Sequence, residues 1–143
     1  MRIAVGCDHR ALELKRAVIE QIAEAGHGYE DLGCYTTDPV DYPDIARRVA
    51  KAVASGDFEF GILMCDTGIG MSIAANKVKG IRAALCHDAF SASRARQHND
   101  ANILCLGARN KCNTEVVNAF LSTQFDGGRH LLRLNKIADM ECS

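Results

Sequence analysis

Phe58-Glu59-Phe60-Gly61-Ile62-Leu63-Met64-Cys65-Asp66-Thr67-Gly68-Ile69-Gly70-Met71-Ser72-Ile73-Ala74-Ala75-Asn76 reads as an apolar strand that runs into a glycine-broken turn and then a helix of small residues. The strand delivers Cys65 onto the turn Asp66-Thr67-Gly68-Ile69-Gly70. Glycines let the backbone bend tightly and bring its N–H groups close to a ligand. The start of a helix behind them favours negative charge. A thiol beside such a nest suits proton or acyl chemistry. A tight turn in a parallel sheet would carry the same pattern, so the flanking sequence has to discriminate.

Strands and helices alternate on both sides of this stretch. Residues 2–7 are an apolar run, and residues 11–25 follow with Leu12, Leu14, Val18, Ile19 and Ile22 near helical spacing and Gly26 at the stop. Residues 29–32 read as a short second strand. Pro43 opens a helix over 42–54, whose apolar positions include Ile45, Val49 and Val53. Strands are expected at 58–65, 81–86 and 102–106, and helices at 68–76, 88–96 and 114–123, the last with Thr114 as its cap. Residues 129–140 close the chain as an amphipathic helical tail. Five strands separated by helices predict an α/β fold of three layers, a five-stranded parallel sheet with helices on both faces. The flavodoxin-like strand order 2-1-3-4-5 is the expected arrangement. No repeat, linker or low-complexity segment interrupts the chain, so residues 1–143 are expected to form one domain.

Composition narrows the function classes. A chain of 143 residues, 48% hydrophobic and 24% charged, has the balance of an ordinary soluble globular protein. The net charge of −1 gives no reason to expect nucleic acid or a membrane surface as partner. Positive charge is uneven, with Arg94, Arg96, Arg109, Lys111, Arg129 and Arg133 all in the second half. No apolar run approaches the roughly 20 residues of a membrane span, and no basic-plus-apolar leader opens the chain. A cytoplasmic location is the expectation.

Seven cysteines raise disulfides or metal, but their number is odd and none sits as Cys-x-x-Cys or clusters with the five histidines in a zinc-like spacing. Cys7, Cys65, Cys86 and Cys105 fall at or near strand ends, where a free cysteine packs as a small hydrophobe. In an open parallel sheet, ligands bind beyond the carboxyl ends of the strands where strand order reverses. Here that point lies between the first and third strands. Cys7-Asp8-His9-Arg10 ends one and Cys65-Asp66-Thr67-Gly68 the other, so the two most reactive-looking loops should share a crevice. Cys65 can attack an electrophile or take a proton. His9 and His98 suit acid–base work near neutrality. Arg109, Arg129 and Arg133 can grip a phosphate through forked, charge-assisted hydrogen bonds.

Spacing tests the rival chemistries. A low-molecular-weight phosphatase needs arginine after five residues following its cysteine, yet Met71 stands there for Cys65 and Glu13 for Cys7. The glycine fingerprint of a dinucleotide-binding domain is absent after the first strand, and no P-loop lysine occurs. A phospho-acceptor signalling domain would use Asp8, Asp66 and Lys111, but His9 fills the place of its second acidic residue.

The segments Gly6-Cys7-Asp8-His9, Asp41-Tyr42-Pro43-Asp44, Cys65 to Gly70, Ile73-Ala74-Ala75-Asn76-Lys77, Gly80-Ile81-Arg82-Ala83-Ala84 and His98-Asn99-Asp100-Ala101-Asn102 together resemble the ribose-5-phosphate isomerase B family. Gly107-Ala108-Arg109 and Gly127-Gly128-Arg129-His130 extend the match toward the tail. The group also contains galactose-6-phosphate and allose-6-phosphate isomerases. The resemblance implies interconversion of aldose and ketose phosphates through an enediolate, with no metal and no cofactor. It makes Cys65 the base between C1 and C2, and His98 the acid that opens the furanose ring with help from Asp8. Backbone N–H groups of Asp66, Thr67, Gly68, Ile69 and Gly70 would steady the oxyanion, and Thr67 would add its hydroxyl. His9, Arg109, Arg129 and Arg133 fall at phosphate-binding positions and Asn99 at a sugar contact. Sites shared between two chains imply a homodimer, or a tetramer built from two such dimers. The partners expected are thus a small sugar phosphate and a second copy of the chain.

One position departs from the family pattern. The residue after the base is usually glycine, and here it is Asp66. A carboxylate there would oppose negative charge developing beside Cys65, unless it points away or bonds a sugar hydroxyl. Asp66→Gly is accordingly expected to shift relative kcat/KM among pentose, tetrose and hexose phosphates severalfold. Arg10-Ala11 after Asp8-His9 is a smaller departure. Three functions remain open on the residues: a ribose 5-phosphate isomerase, an isomerase of allose, galactose or tetrose phosphate, and a sugar-phosphate-binding relative without turnover.

Overall fold

The apolar run over 60–65 forms the middle of the structure, a computed structural model that describes residues 1–142; Ser143, the end of the expected domain, lies outside the described residues. Along the chain the elements are β1 (Arg2–Cys7), α1 (Leu12–Glu24), β2 (Gly28–Asp31), α2 (Tyr42–Ala54), β3 (Phe60–Cys65), α3 (Ile69–Ala75), β4 (Ala83–Leu85), α4 (Ala89–Gln97), β5 (Ile103–Gly107), α5 (Asn113–Ser122) and α6 (Arg129–Met140). All strand pairs are parallel. β3 is buried from Gly61 to Cys65 and β5 at every position, which is why both read as continuous apolar runs rather than alternating ones.

The sheet order is β2-β1-β3-β5-β4, so the expected three-layer fold holds while the last two strands are exchanged relative to 2-1-3-4-5. Burial explains the exchange. Ile103-Leu104-Cys105-Leu106-Gly107 is wholly apolar and takes two neighbours, whereas β4 is three half-buried residues and tolerates an edge. Of the expected strand over 81–86, only Ala83–Leu85 pairs. The exchange also sorts the helices. β4 to β5 runs back toward β3, and a right-handed crossover then places α4 on the face opposite α3. Accordingly α2 packs with α3 on one face, and α4 and α1 pack with α5 on the other.

The reversal between β1 and β3 is unaffected. Cys7 pairs with Met64 and Cys65 with Gly107, which aligns the carboxyl ends of β1, β3 and β5 along one edge. The loop after β2 is held to that edge by the buried Lys15, which donates to Asp31 Oδ1 at 2.9 Å and to the Cys34 carbonyl. Thr114 is not the cap of α5: the helix starts at Asn113, whose side-chain amide donates to the Gly107 and Asn110 carbonyls at 2.9 and 3.0 Å and anchors it a residue earlier. The tail helix α6 buries His130 and Leu134 and leaves Leu131, Leu132, Ile137 and Met140 on its surface. No helix among the described residues is long and apolar enough to cross a membrane.

Candidate active site

Cys65 is the last residue of β3 and is 6% exposed. The Gly68 N–H donates to its Sγ at 3.1 Å, a contact that stabilises negative charge on the sulfur. That geometry requires glycine. Gly68 has φ +82°, and a Cβ there would stand 2.6 Å from Leu85 Cδ1 and 2.9 Å from the Leu106 carbonyl carbon. Gly107 reciprocates, since its Cβ would meet the Thr67 carbonyl oxygen at 2.6 Å. The turn is thus seated directly on the end of β5. Gly68→Ala is expected to cost about 2–4 kcal/mol of stability, from left-handed backbone strain and overpacking together. Denaturant unfolding reads that loss, and a variant as stable as the parent would refute the packing account.

Across the crevice, the Asp8 N–H donates to the Met64 carbonyl at 3.0 Å and ties the loop after β1 to β3. Asp8 is 6% exposed, and its Oδ1 accepts from the Arg10 N–H at 2.9 Å. Asp8, Tyr42, Cys65, Thr67 and Gly70 line a common cavity of about 430 Å³, a size suited to a small metabolite. Within the turn, the Gly68 N–H is used by Cys65 and the Ile69 N–H by Thr67 Oγ1 at 3.2 Å. Those of Thr67 and Gly70 have no backbone acceptor among the described residues. His9 Nδ1 accepts from the Val40 N–H at 3.2 Å. A neutral imidazole so bonded carries its proton on Nε2, which is then a donor. His9 lines an adjoining cavity of about 540 Å³ with Arg10, Lys111 and Thr114.

Asp66 turns from the thiol toward β5. Both its oxygens accept from Arg109 Nε, at 2.9 and 3.0 Å. Asp66, Thr67 and Ile69 form the wall between the Cys65 cavity and a third one, about 360 Å³, that also holds His87 and Arg109.

The remaining site residues read from the sequence lie elsewhere. His98 caps the C-terminus of α4, five residues before β5 begins, whereas Cys65 pairs with Gly107 at the end of β5. The length of β5, about 13 Å, separates those two edges of the sheet. His98 stacks on His130 with ring centroids 4.3 Å apart and 16° between planes. Burial, and then His98, Arg129 and Arg133, hold His130 below the ordinary histidine range. Asn99 lines a cavity of about 460 Å³ with Arg82, Ile137 and Met140. One chain therefore gathers Asp8, His9, Cys65, Asp66, Thr67, Gly68, Ile69, Gly70 and Arg109 at one edge, and His98, Asn99, Arg129 and Arg133 away from it.

His98, Asp126 and His130 bring potential ligand atoms within 4.8 Å of one another. Imidazole lone pairs lie in the ring plane, and two nearly parallel stacked rings do not aim them at one point. The trio as arranged does not make a tetrahedral metal site.

Tyr42 and His130 stand in segments that carry the family resemblance, but the sequence assigns neither a role. The Tyr42 ring packs so closely on Gly70 that a Cβ there would come within 2.5 Å of it. His130 follows Arg129 in Gly127-Gly128-Arg129-His130, and only tertiary contact shows it against His98. Of the cysteines, Cys7, Cys34, Cys65, Cys86 and Cys105 are buried and Cys112 and Cys142 exposed, all as free thiols. Burial pushes Cys7 up to about 12 and raises Cys86 and Cys105 as well, as expected of packing thiols.

Comparison with known proteins gives a consistent picture. The family model described as Ribose/Galactose Isomerase matches residues 3–137. Ribose-5-phosphate isomerase B of Escherichia coli (strain K12) is 43% identical over 98% of this chain and 96% of its own length. The solved structure of Clostridium thermocellum ribose-5-phosphate isomerase B superposes with a TM-score of 0.97 at 44% identity, covering 99% of this chain and 98% of that one. Ribose-5-phosphate isomerase B from Mycoplasma genitalium, solved with bound ribulose-5-phosphate, gives 0.94 at 41% identity over 99% of this chain and 97% of that one.

Proposed function

The chain belongs to the ribose/galactose isomerase family, and on that footing we propose that it interconverts an aldose phosphate and its ketose, ribose 5-phosphate with ribulose 5-phosphate first among them. The observation that carries this reading is Cys65, held by the Gly68 N–H at 3.1 Å in a cavity it shares with Asp8. As thiolate, Cys65 takes the proton from C2 of the open-chain aldose and returns it to C1, while the hydroxyl proton of O2 passes to O1. The intervening enediolate carries negative charge on oxygen. On this reading the N–H groups of Thr67 and Gly70, which have no backbone acceptor among the described residues, and the Thr67 hydroxyl receive that charge, and a preorganised donor of this kind is worth roughly 3–4 kcal/mol in the transition state. Asp8 assists ring opening from the other wall. His9, through Nε2, and Arg109 bind the phosphate.

The acid His98, the sugar contact Asn99 and the phosphate ligands Arg129 and Arg133 reach this cavity from a second copy of the chain. Their place at the opposite edge of the sheet supports that assignment, as does the apolar surface that α6 leaves uncovered beside them. The assembly is then a homodimer, or two such dimers in a tetramer. The reading without turnover rested on Asp66 opposing the thiolate. With the carboxylate paired to Arg109, that objection loses its basis.

A coupled isomerase assay over aldose phosphates of four to six carbons, run with and without a chelator, tests the proposal. Turnover is expected to be greatest with ribose 5-phosphate and unchanged by the chelator. Preference for an allose, galactose or tetrose phosphate would move the substrate within the family. Failure to turn over any of them would leave a binding protein.

A further inference from the structure

We propose that Asp66 is a positioning residue: it fixes the guanidinium of Arg109 so that the two terminal nitrogens meet the substrate's phosphate. This rests on the reading of Arg109 as a phosphate ligand. Both carboxylate oxygens converge on Nε, at 2.9 and 3.0 Å, and neither terminal nitrogen of Arg109 donates to another group among the described residues. An arginine held by Nε keeps four N–H donors in a planar fork, the arrangement that matches a phosphate. Among the described residues no group other than Asp66 holds this side chain, which is 74% exposed and extends from the turn beyond β5. A long side chain left free in solvent must be ordered each time the ligand binds.

Placement strengthens the case. Asp66 stands in the wall between the Cys65 cavity and the one holding Arg109. It thereby sets how far the phosphate anchor lies from the carbons that exchange the proton. The severalfold shift among pentose, tetrose and hexose phosphates expected of Asp66→Gly then arises at the anchor, not through contact with a sugar hydroxyl.

Competitive inhibition by inorganic phosphate isolates the anchor from the sugar. In Asp66→Gly, the inhibition constant for inorganic phosphate and KM for ribose 5-phosphate are expected to rise together, about fivefold, as the ordering cost of Arg109 returns. Asp66→Glu restores part of the loss. The sign is diagnostic, because removing a carboxylate near a phosphate would by charge alone tighten binding. In an Arg109→Ala background, Asp66→Gly adds no further weakening. Inhibition constants unchanged or lowered in Asp66→Gly, while Arg109→Ala raises them, overturn the positioning role and leave the phosphate assignment standing. If Arg109→Ala leaves inhibition by inorganic phosphate unchanged, the phosphate assignment fails and this proposal with it. Denaturant unfolding of each variant separates these effects from lost fold.

Discussion

Cys65→Ala is expected to lower kcat by about 10²–10⁴-fold, the range a positioned general base supplies. Inhibition constants cannot be read from so slow an enzyme, so phosphate binding would be followed by calorimetry with inorganic phosphate. Binding should be retained, because the proposed phosphate ligands lie on other elements: His9 after β1, Arg109 after β5, and Arg129 and Arg133 on α6. Truncating a 6% exposed side chain at a strand end removes one sulfur, and with it the acceptor of the Gly68 N–H, but leaves the backbone hydrogen bonds of both loops in place. Retained binding with lost turnover identifies the thiol as chemistry rather than packing. The opposite pattern, turnover little changed, would return Cys65 to the class of Cys7 and Cys105, buried thiols that burial keeps protonated.

Chains carrying Cys65→Ala and chains carrying His98→Asn should each be nearly inactive alone, yet recover activity when refolded together. If the base and the ring-opening acid come from different copies, a mixed dimer has one site with both lesions and one with neither. Random pairing of equal amounts makes half the dimers mixed, so recovery to about a quarter of the parent rate is expected from twofold symmetry. Were both groups supplied by the same chain, every site would carry a lesion and mixing would restore nothing. The separation of His98 from Cys65 by the length of β5 is what makes this outcome so different from the single-chain case.

Much of the fold and part of the site could be seen in the residues themselves. Strands buried on both faces betray themselves as unbroken apolar runs, and β3 and β5 do so. Cys65 on its glycine turn, opposite Asp8, followed from the reversal of strand order between β1 and β3. The order of β4 and β5 did not, because an edge place is decided by how much surface a strand must hide once the sheet exists. Ala83-Ala84-Leu85 carries no periodic mark of its own that would send it outward. The same limit applies to side chains far apart in the chain. Asp66 could be flagged as an unusual residue beside the thiol, but Arg109 lies 43 positions away and their pairing needs the parallel alignment of β3 with β5. His130 was hidden for the same reason, since stacking on His98 depends on how the tail returns to the end of α4.

β5 is followed two residues later by Arg109 and preceded by His98 five residues before its start. In the proposed two-copy assembly it would act as a rigid rod with one end at each of two sites. Its length is then a shared dimension. Adding or removing a single residue within Ile103–Gly107 would shift register along the sheet and misplace a residue at both sites at once. A length change in the short segment at either end would misplace only the one residue that segment carries, whereas the strand between them sets both.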